Sequence, residues 1–209
     1  THITISTVET IAIYFLSSVI NDFQKINQYS SFEINAKKPD SILDDLILNR
    51  SEIGITFTKE LPKTLEVAFE KNFPLGILCS PSHELASRDE ITIIDCLTYP
   101  LVFHPGTLNV WRKIQREMGY SSHYIKPKII SNSYAFIKSY LKKNTQALFF
   151  STKLGALLEL KEKSLVHKPV NNKTLLNNNI GIIINKNHLK NKKTENFINQ
   201  LIKFFKTIN

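Results

Sequence analysis

The chain has 209 residues, 42% of them hydrophobic and 22% charged, enough to bury one core or two smaller ones, which excludes a disordered segment. Its longest apolar run, residues 11–20, is interrupted by Ser17 and Ser18 and falls short of the ~20 residues a membrane-spanning helix needs. The formal net charge of +9 is unevenly placed: residues 1–104 carry 8 Lys/Arg against 14 Asp/Glu and residues 105–209 carry 19 against 4, an asymmetry that suggests an anionic partner.

In chain order, a period-2 run predicts a strand at residues 3–6, and steps of three and four through Ile11, Phe15, Val19, Phe23 and Ile26 predict a helix. A strand at 32–36, a helix carrying Ile42, Leu43, Leu46 and Ile47, and a strand at 53–57 complete the first run. A strand at 75–80 follows. Strands at 101–103, 124–130 and 147–150 then alternate with helices marked by Val110, Ile114 and Met118 and by Ile137 and Leu141. Leu154 with Leu158 marks a further helix, strands are predicted at 165–170 and 180–184, and Phe197, Leu201 and Phe205 line a last amphipathic helix.

The order strand, helix, strand, helix, strand over residues 2–57 recurs over residues 100–150. Alternation of this kind implies βαβ units and parallel sheets with helices on both faces, hence two small α/β lobes. Open α/β sheets bind ligands at the carboxyl ends of their strands, and the two sets of ends are expected to face a shared crevice. No Gly/Pro/Ser-rich linker separates the halves, so short crossings near residues 72–75 and after Ile184 should join them. The expected division is 1–72 plus 189–209 for the first lobe and 73–188 for the second.

Catalytic signatures are missing: there is no G-x-S-x-G, H-E-x-x-H, Walker A loop, G-x-G-x-x-G or C-x-x-C, and the six histidines lack ligand spacing. No cofactor and no metal are therefore expected. Cys79 and Cys96 read as buried reduced thiols. Ser80, Ser82 and His83 surround Pro81 in what reads as a loop, without a third orienting group for nucleophilic chemistry. Asp44 and Asp45 point about 100° apart on a helix and read as a solvated face. The Lys/Asn-rich run 186–193 reads as solvated surface rather than a nucleic-acid patch, because no aromatic residues interleave to stack bases.

What remains are loops leading from strand ends into helix starts: residues 7–10, 37–41, 104–107 and 131–133. Each offers Ser, Thr or Asn for an N-cap and several backbone N–H groups without intrahelical partners. Four helix N-termini at one crevice would make an anion-friendly site.

These segments together resemble the sensor domains of LysR-type transcriptional regulators. Ile3-Thr-Ile-Ser-Thr-Val-Glu-Thr-Ile-Ala-Ile-Tyr-Phe-Leu is similar to the family's opening strand and helix, T-I-A-x-Y-L-L. Ser41-Ile-Leu-Asp-Asp-Leu-Ile-Leu-Asn-Arg-Ser-Glu-Ile-Gly-Ile resembles the segment ending G-E-L-D-L-A-I, and Leu75-Gly-Ile-Leu-Cys-Ser-Pro-Ser-His-Glu-Leu-Ala the strand and H-P-L-A turn. Pro100-Leu-Val-Phe-His-Pro-Gly-Thr is similar to P-x-I-x-x-x-P-G-S, and Ser133-Tyr-Ala-Phe-Ile-Lys with Ala147-Leu-Phe-Phe-Ser to S-x-x-A-I-K…G-L-G-I-A-F-L-S. The order and spacing of these segments, across nearly the whole chain, carry the resemblance.

The resemblance implies two Rossmann-like lobes of the type 2 periplasmic-binding-protein architecture and an effector cleft between them. It points to Val8, Glu9, Thr10, Pro39 and Phe57 on the first lobe, and Phe103, His104, Thr107 and Ser133 on the second, as effector contacts. The ligand expected is a small anion, with Thr10 and Ser133 supplying hydroxyls and Phe103 a wall. Pro39 and Val8 stand where family members often carry hydroxyls, so the grip of the first lobe differs. Asn144-Thr-Gln146 replaces the family's G-x-G, with Asn144 a candidate left-handed turn residue. The resemblance further implies a cytoplasmic regulator without enzymatic activity. It implies a homodimer pairing first lobe against second, a tetramer in the full-length protein, DNA contacted only through an upstream helix-turn-helix, and no membrane partner. Tyr14, Ser18, Trp111 and Gln115 are expected at the dimer contact, with a core position the competing reading for Trp111. A transporter's solute-binding protein is the first alternative, and an enzyme relying on Glu9 with His104 the second.

Overall fold

The first strand forms where the sequence alternates: in β1 (His2–Thr7), Ile3 and Ile5 are fully buried. The computed structural model describes residues 1–119, 126–188 and 191–209. After β1 come α1 (Glu9–Ile26), β2 (Ser31–Ala36), α2 (Pro39–Ile47), β3 (Ile53–Phe57) and β4 (Leu65–Asn72). Then follow β5 (Gly76–Cys79), α3 (Ile93–Cys96), β6 (Leu101–Phe103), α4 (Pro105–Glu117), β7 (Ile129–Ile130), α5 (Tyr134–Lys143), β8 (Leu148–Ser151), α6 (Leu157–Lys161), β9 (Val166–Pro169) and α7 (Lys173–Leu176). The chain ends with β10 (Asn179–Asn185) and α8 (Lys192–Thr207).

Two units result, residues 1–72 with 179–209 and residues 73–178. The first holds a sheet ordered β2-β1-β3-β10-β4, with β1 parallel to β2 and β3, and β10 antiparallel to β3 and β4. The predicted stripe of α1 buries Ile11, Phe15, Val19 and Phe23, and α8 closes on it through Phe15–Phe205 and Phe23–Phe197 ring contacts at 4.2 and 5.1 Å. Ile26, at the foot of that stripe, is 85% exposed.

The second unit repeats the plan in the order β7-β6-β8-β5-β9, with β6 parallel to β7 and β8, and β5 antiparallel to β8 and β9. Its core centres on Trp111, whose ring lies 4.1 Å from Phe150 and 5.8 Å from Phe103.

Several expectations change. The sheets are mixed rather than parallel, because each gains strands that run against its βαβ core. Residues 179–188, assigned from sequence to the second lobe, belong to the first unit, since β10 pairs with β3 and β4 along its length. The strand β4 was not anticipated, although Leu65, Val67 and Phe69 alternate with Glu66, Ala68 and Glu70. Of the strand expected at 124–130, residues 124 and 125 lie outside those described, and only Ile129–Ile130 pairs, with β6. Asn144 is not left-handed: its φ is −113°, and the turn is made by its side chain, which accepts from the Gln146 N–H and donates to the Tyr140 hydroxyl. Trp111 and Gln115 are 1% and 6% exposed, so within this chain the core reading of Trp111 holds.

Candidate functional site

At the carboxyl end of β1, Val8 donates its N–H to the Ile55 carbonyl and its own carbonyl accepts from Ile11 and Ala12, which starts α1. Valine has no side-chain acceptor, so α1 begins without a side-chain cap. Glu9 is half-buried in the first turn, where its charge complements the positive helix end, and Thr10 is buried. At the end of β2 the same holds: Lys38 precedes α2 with no side-chain cap, and exposed Pro39 occupies the first turn. Phe57 closes β3 and is 37% exposed.

Beneath these loops lies a feature the sequence reading missed. Asp45 is 2% exposed rather than on a solvated face, accepting from Ser6 Oγ (2.6 Å), Lys37 Nζ (2.7 Å) and Arg50 Nε (2.9 Å). Ser6 Oγ also meets Ser51 Oγ at 2.7 Å. Burial raises the carboxyl pKa, but the bonds from Lys37, Ser6 and Arg50 outweigh it and hold it down at about 2. Lys37 directly precedes the Lys38-Pro39 turn, so Asp45 ties down the loop that opens α2.

In the second unit the helix starts after β6 and β7, those of α4 and α5, are capped by side chains. His104 caps α4 by accepting the Gly106 N–H on Nδ1 at 3.1 Å, which in the neutral ring leaves the proton on Nε2, and the imidazole stacks on Tyr134 at 5.5 Å. Thr107 donates its hydroxyl to the His104 carbonyl. Ser133 caps α5 by accepting from Phe136 N at 3.2 Å, keeping its own O–H proton to donate. Thr152, after β8, caps a short 3₁₀ turn in the same manner, a strand-end loop that sequence reading passed over. Phe103 is fully buried among Trp111 and Phe150, so its ring cannot serve as a binding wall; a residue at a strand's last position still points into the core when the strand is covered on that face.

Nucleophilic chemistry finds no support around His83. Its Nδ1 accepts from Leu85 N and its Nε2 faces the Gln146 carbonyl, so backbone occupies both ring nitrogens. Cys79 and Cys96 are free and buried, and burial pushes their thiols up to about 11 and about 12, away from reactive thiolates. Among the described residues no cluster of three His, Cys, Asp or Glu could hold a metal ion, and no helix is long and apolar enough to cross a membrane. What the strand ends do offer is backbone N–H groups at helix starts with hydroxyl and imidazole donors beside them, a set that recognises acceptor oxygens.

The chain matches the family described as the LysR substrate binding domain over residues 1–206. No curated protein matches it. Among solved structures it is similar to the effector binding domain of QuiR in complex with shikimate, at 17% identity, TM-score 0.72, covering 100% of this chain and 98% of that one. It is similar to the LysR family regulator HinK from Pseudomonas aeruginosa at 14% identity and TM-score 0.73, covering 97% of this chain and 70% of HinK. A transcriptional regulator from Vibrio parahaemolyticus gives 15% identity and TM-score 0.76, with 97% and 92% covered. At these identities the likeness establishes the type 2 periplasmic-binding-protein fold, and the match over the chain favours a regulator domain over a transporter's binding protein. The chain belongs to the LysR substrate binding domain family and is an effector-sensing regulatory domain.

Proposed function

We propose that the domain senses a small anionic effector, a carboxylate or an inorganic oxyanion, through the strand-end loops of both units, and that it catalyses no reaction. One observation carries this reading: the residues that precede α1 and α2, Val8 and Lys38, stand at strand ends and make no side-chain cap, so the positive helix ends there suit an external anion. On the first unit Thr10 would supply a donor and Val8, Glu9, Pro39 and Phe57 shape the loops; on the second, Ser133 and His104 would supply donors beside Thr107. Shikimate, the molecule bound by QuiR, is itself a carboxylate. In the cell the domain works in the cytoplasm as part of a regulator that dimerises through first unit against second, assembles further to a tetramer, and reads DNA through a separate helix-turn-helix. An effector that shifts that assembly needs a coupling of only ~1–3 kcal/mol.

A thermal-shift screen of small carboxylates and oxyanions against neutral and cationic compounds tests it, since a ligand at about 100 times its Kd stabilises by about 2.7 kcal/mol. Stabilisation by anions alone is expected. A domain stabilised only by neutral or cationic compounds would end the anion reading.

A further inference from the structure

At the opposite end of the first unit's sheet, lysines from three separate segments come together. Lys63 belongs to the loop before β4, Lys186 follows β10, and Lys192 and Lys193 open α8; all four are exposed. The segments meet there: Lys186 donates its backbone N–H to Thr64 and its Nζ to the Lys63 carbonyl at 2.8 Å. His188 and Thr194, on either side of the turn into α8, both approach Glu52 Oε1, at 3.8 and 3.4 Å. Glu52 is thereby occupied inward, its other oxygen accepting from Thr4 N. Two further carboxylates, Glu66 and Glu195, share this end and leave the lysines in excess. Among the described residues none of the four lysines has a carboxylate within ion-pair distance. Lys192 and Lys193 also sit in the first turn of a helix, where cations oppose the helix dipole, so helix stability does not account for them.

We infer that this end of the first unit is a phosphate-binding face that lies along the backbone of duplex DNA. The lack of interleaved aromatics, which argues against base stacking on single strands, is no obstacle to contacts with duplex phosphates. The choice of DNA rests on the regulator reading, and it departs from the expectation that DNA is contacted only through a separate helix-turn-helix.

The test is fluorescence anisotropy of the 209-residue domain with a labelled duplex of arbitrary sequence across a salt series. The variant Lys186→Glu/Lys192→Glu/Lys193→Glu is compared with Lys142→Glu/Lys143→Glu/Lys161→Glu on the second unit, an equal change of charge. Reversal at the start of α8 favours the helix, so the first variant keeps its fold, which a thermal melt checks. The unmutated domain should bind with an affinity falling by about 0.9 log unit per log unit of salt for each phosphate engaged, about three in all. The first variant should lose at least about tenfold in affinity at ~50 mM salt and most of that slope, the second less than about threefold. No binding at low salt, equal losses in both variants, or binding to anionic vesicles without binding to duplex overturns the inference. The effector screen has a separate readout: a domain that binds DNA but no small anion keeps this face and loses the proposed effector class, and the converse result does the reverse.

Discussion

The two units share one βαβ plan and treat polar groups in opposite ways. The first buries an ionised carboxylate, Asp45, under donors from Ser6, Lys37 and Arg50, and leaves the starts of α1 and α2 uncapped. The second holds two uncharged imidazoles, buried His83 and half-buried His167, keeps its interior charges as the neutralising pair Lys138–Glu159 at 3.1 Å, and caps α4 and α5 with His104 and Ser133. Similar topology therefore does not fix which helix starts a fold caps with side chains or where it buries charge. Under the proposed function, the first unit, whose α1 and α2 start without a side-chain cap, is the one to test first for anion binding.

The largest effect that follows from this contrast is at Asp45. Replacing it by Ala strands two cations and the Ser6 hydroxyl around a buried hole, and losing one side of a buried ion cluster costs about 3–5 kcal/mol. Lys37 and Arg50 are 37% and 58% exposed and recover some hydration, which places the loss near the lower bound. Urea unfolding followed by tryptophan fluorescence, whose single reporter Trp111 lies in the second unit, and by circular dichroism should separate in midpoint for Asp45→Ala. Coincident, unshifted transitions would mean that the network carries no stability.

The same contrast sets two acid windows. His167 faces the Ser151 carbonyl at 2.8 Å, and burial lowers its pKa to about 4. A histidine depressed in the fold stabilises it fully above the unfolded value near 6.5, and that stability, up to about 3 kcal/mol, is lost as pH falls toward 4. His83, lowered by burial, acts in the same direction. Asp45, held at about 2, contributes above the unfolded value near 3.9, and its roughly 2–3 kcal/mol disappears only between pH 4 and 2. The second unit should thus weaken first, and His167→Gln, whose amide can still donate to Ser151, should flatten the phase between pH 6.5 and 4 in a pH series of urea midpoints. An unchanged phase in that variant would assign the acid sensitivity elsewhere.

Helix starts come next in size. Ser133→Ala removes the cap of α5 and should cost about 1 kcal/mol, whereas Val8→Asp adds a cap to α1 and should stabilise by up to about 1 kcal/mol. The two changes differ in binding as well: Val8→Asp places a negative charge where the proposed anion docks and should abolish its thermal shift while raising the melting temperature. An anion that still binds Val8→Asp as before is not held at the start of α1.

Much of this was legible from periodicity. The stripes of α1, α4 and α8 and the doubled βαβ order gave the layers, because core-facing positions on a helix recur at three and four regardless of what packs against them. The errors come from reading a residue without its face. Asp45 stands three positions after Ile42 and one before Leu46, on the buried side of α2, and only its separation from Asp44 was considered. Phe103 follows the βαβ rule for position but not for side-chain direction. Asn144 stands where the family pattern that the chain resembles has glycine, and it solves the turn with a side-chain hydrogen bond rather than a left-handed backbone. The loops between strand ends and helix starts are legible since strand ends follow from topology, whereas which helices lack caps depends on boundaries that shift by a residue and cannot be fixed from composition.

Trp111→Phe gives the smallest effect and the finest distinction. Trp111 was expected either in the core or at a contact between copies, and the fold buries its ring against Phe150 and Phe103 with Nε1 shielded and without a hydrogen-bond partner among the described residues. A buried donor with no acceptor contributes no favourable hydrogen bond and retains its desolvation cost, so Trp111→Phe, which removes the N–H and some volume, sets a modest cavity against the relief of an unsatisfied group. The balance should lie within about 1 kcal/mol of zero, whereas Trp111→Ala, which empties the site, should cost about 3–5 kcal/mol. Chemical denaturation read by circular dichroism measures both. Because Nε1 is already shielded within the chain, Trp111→Phe should leave self-association in sedimentation unchanged and move only the midpoint, and a weakened self-association would overturn the core placement. Ser18→Glu, on the exposed face of α1, completes the comparison: a charge there should divide the dimer with no effect on unfolding, and an undisturbed dimer would remove α1 from the contact.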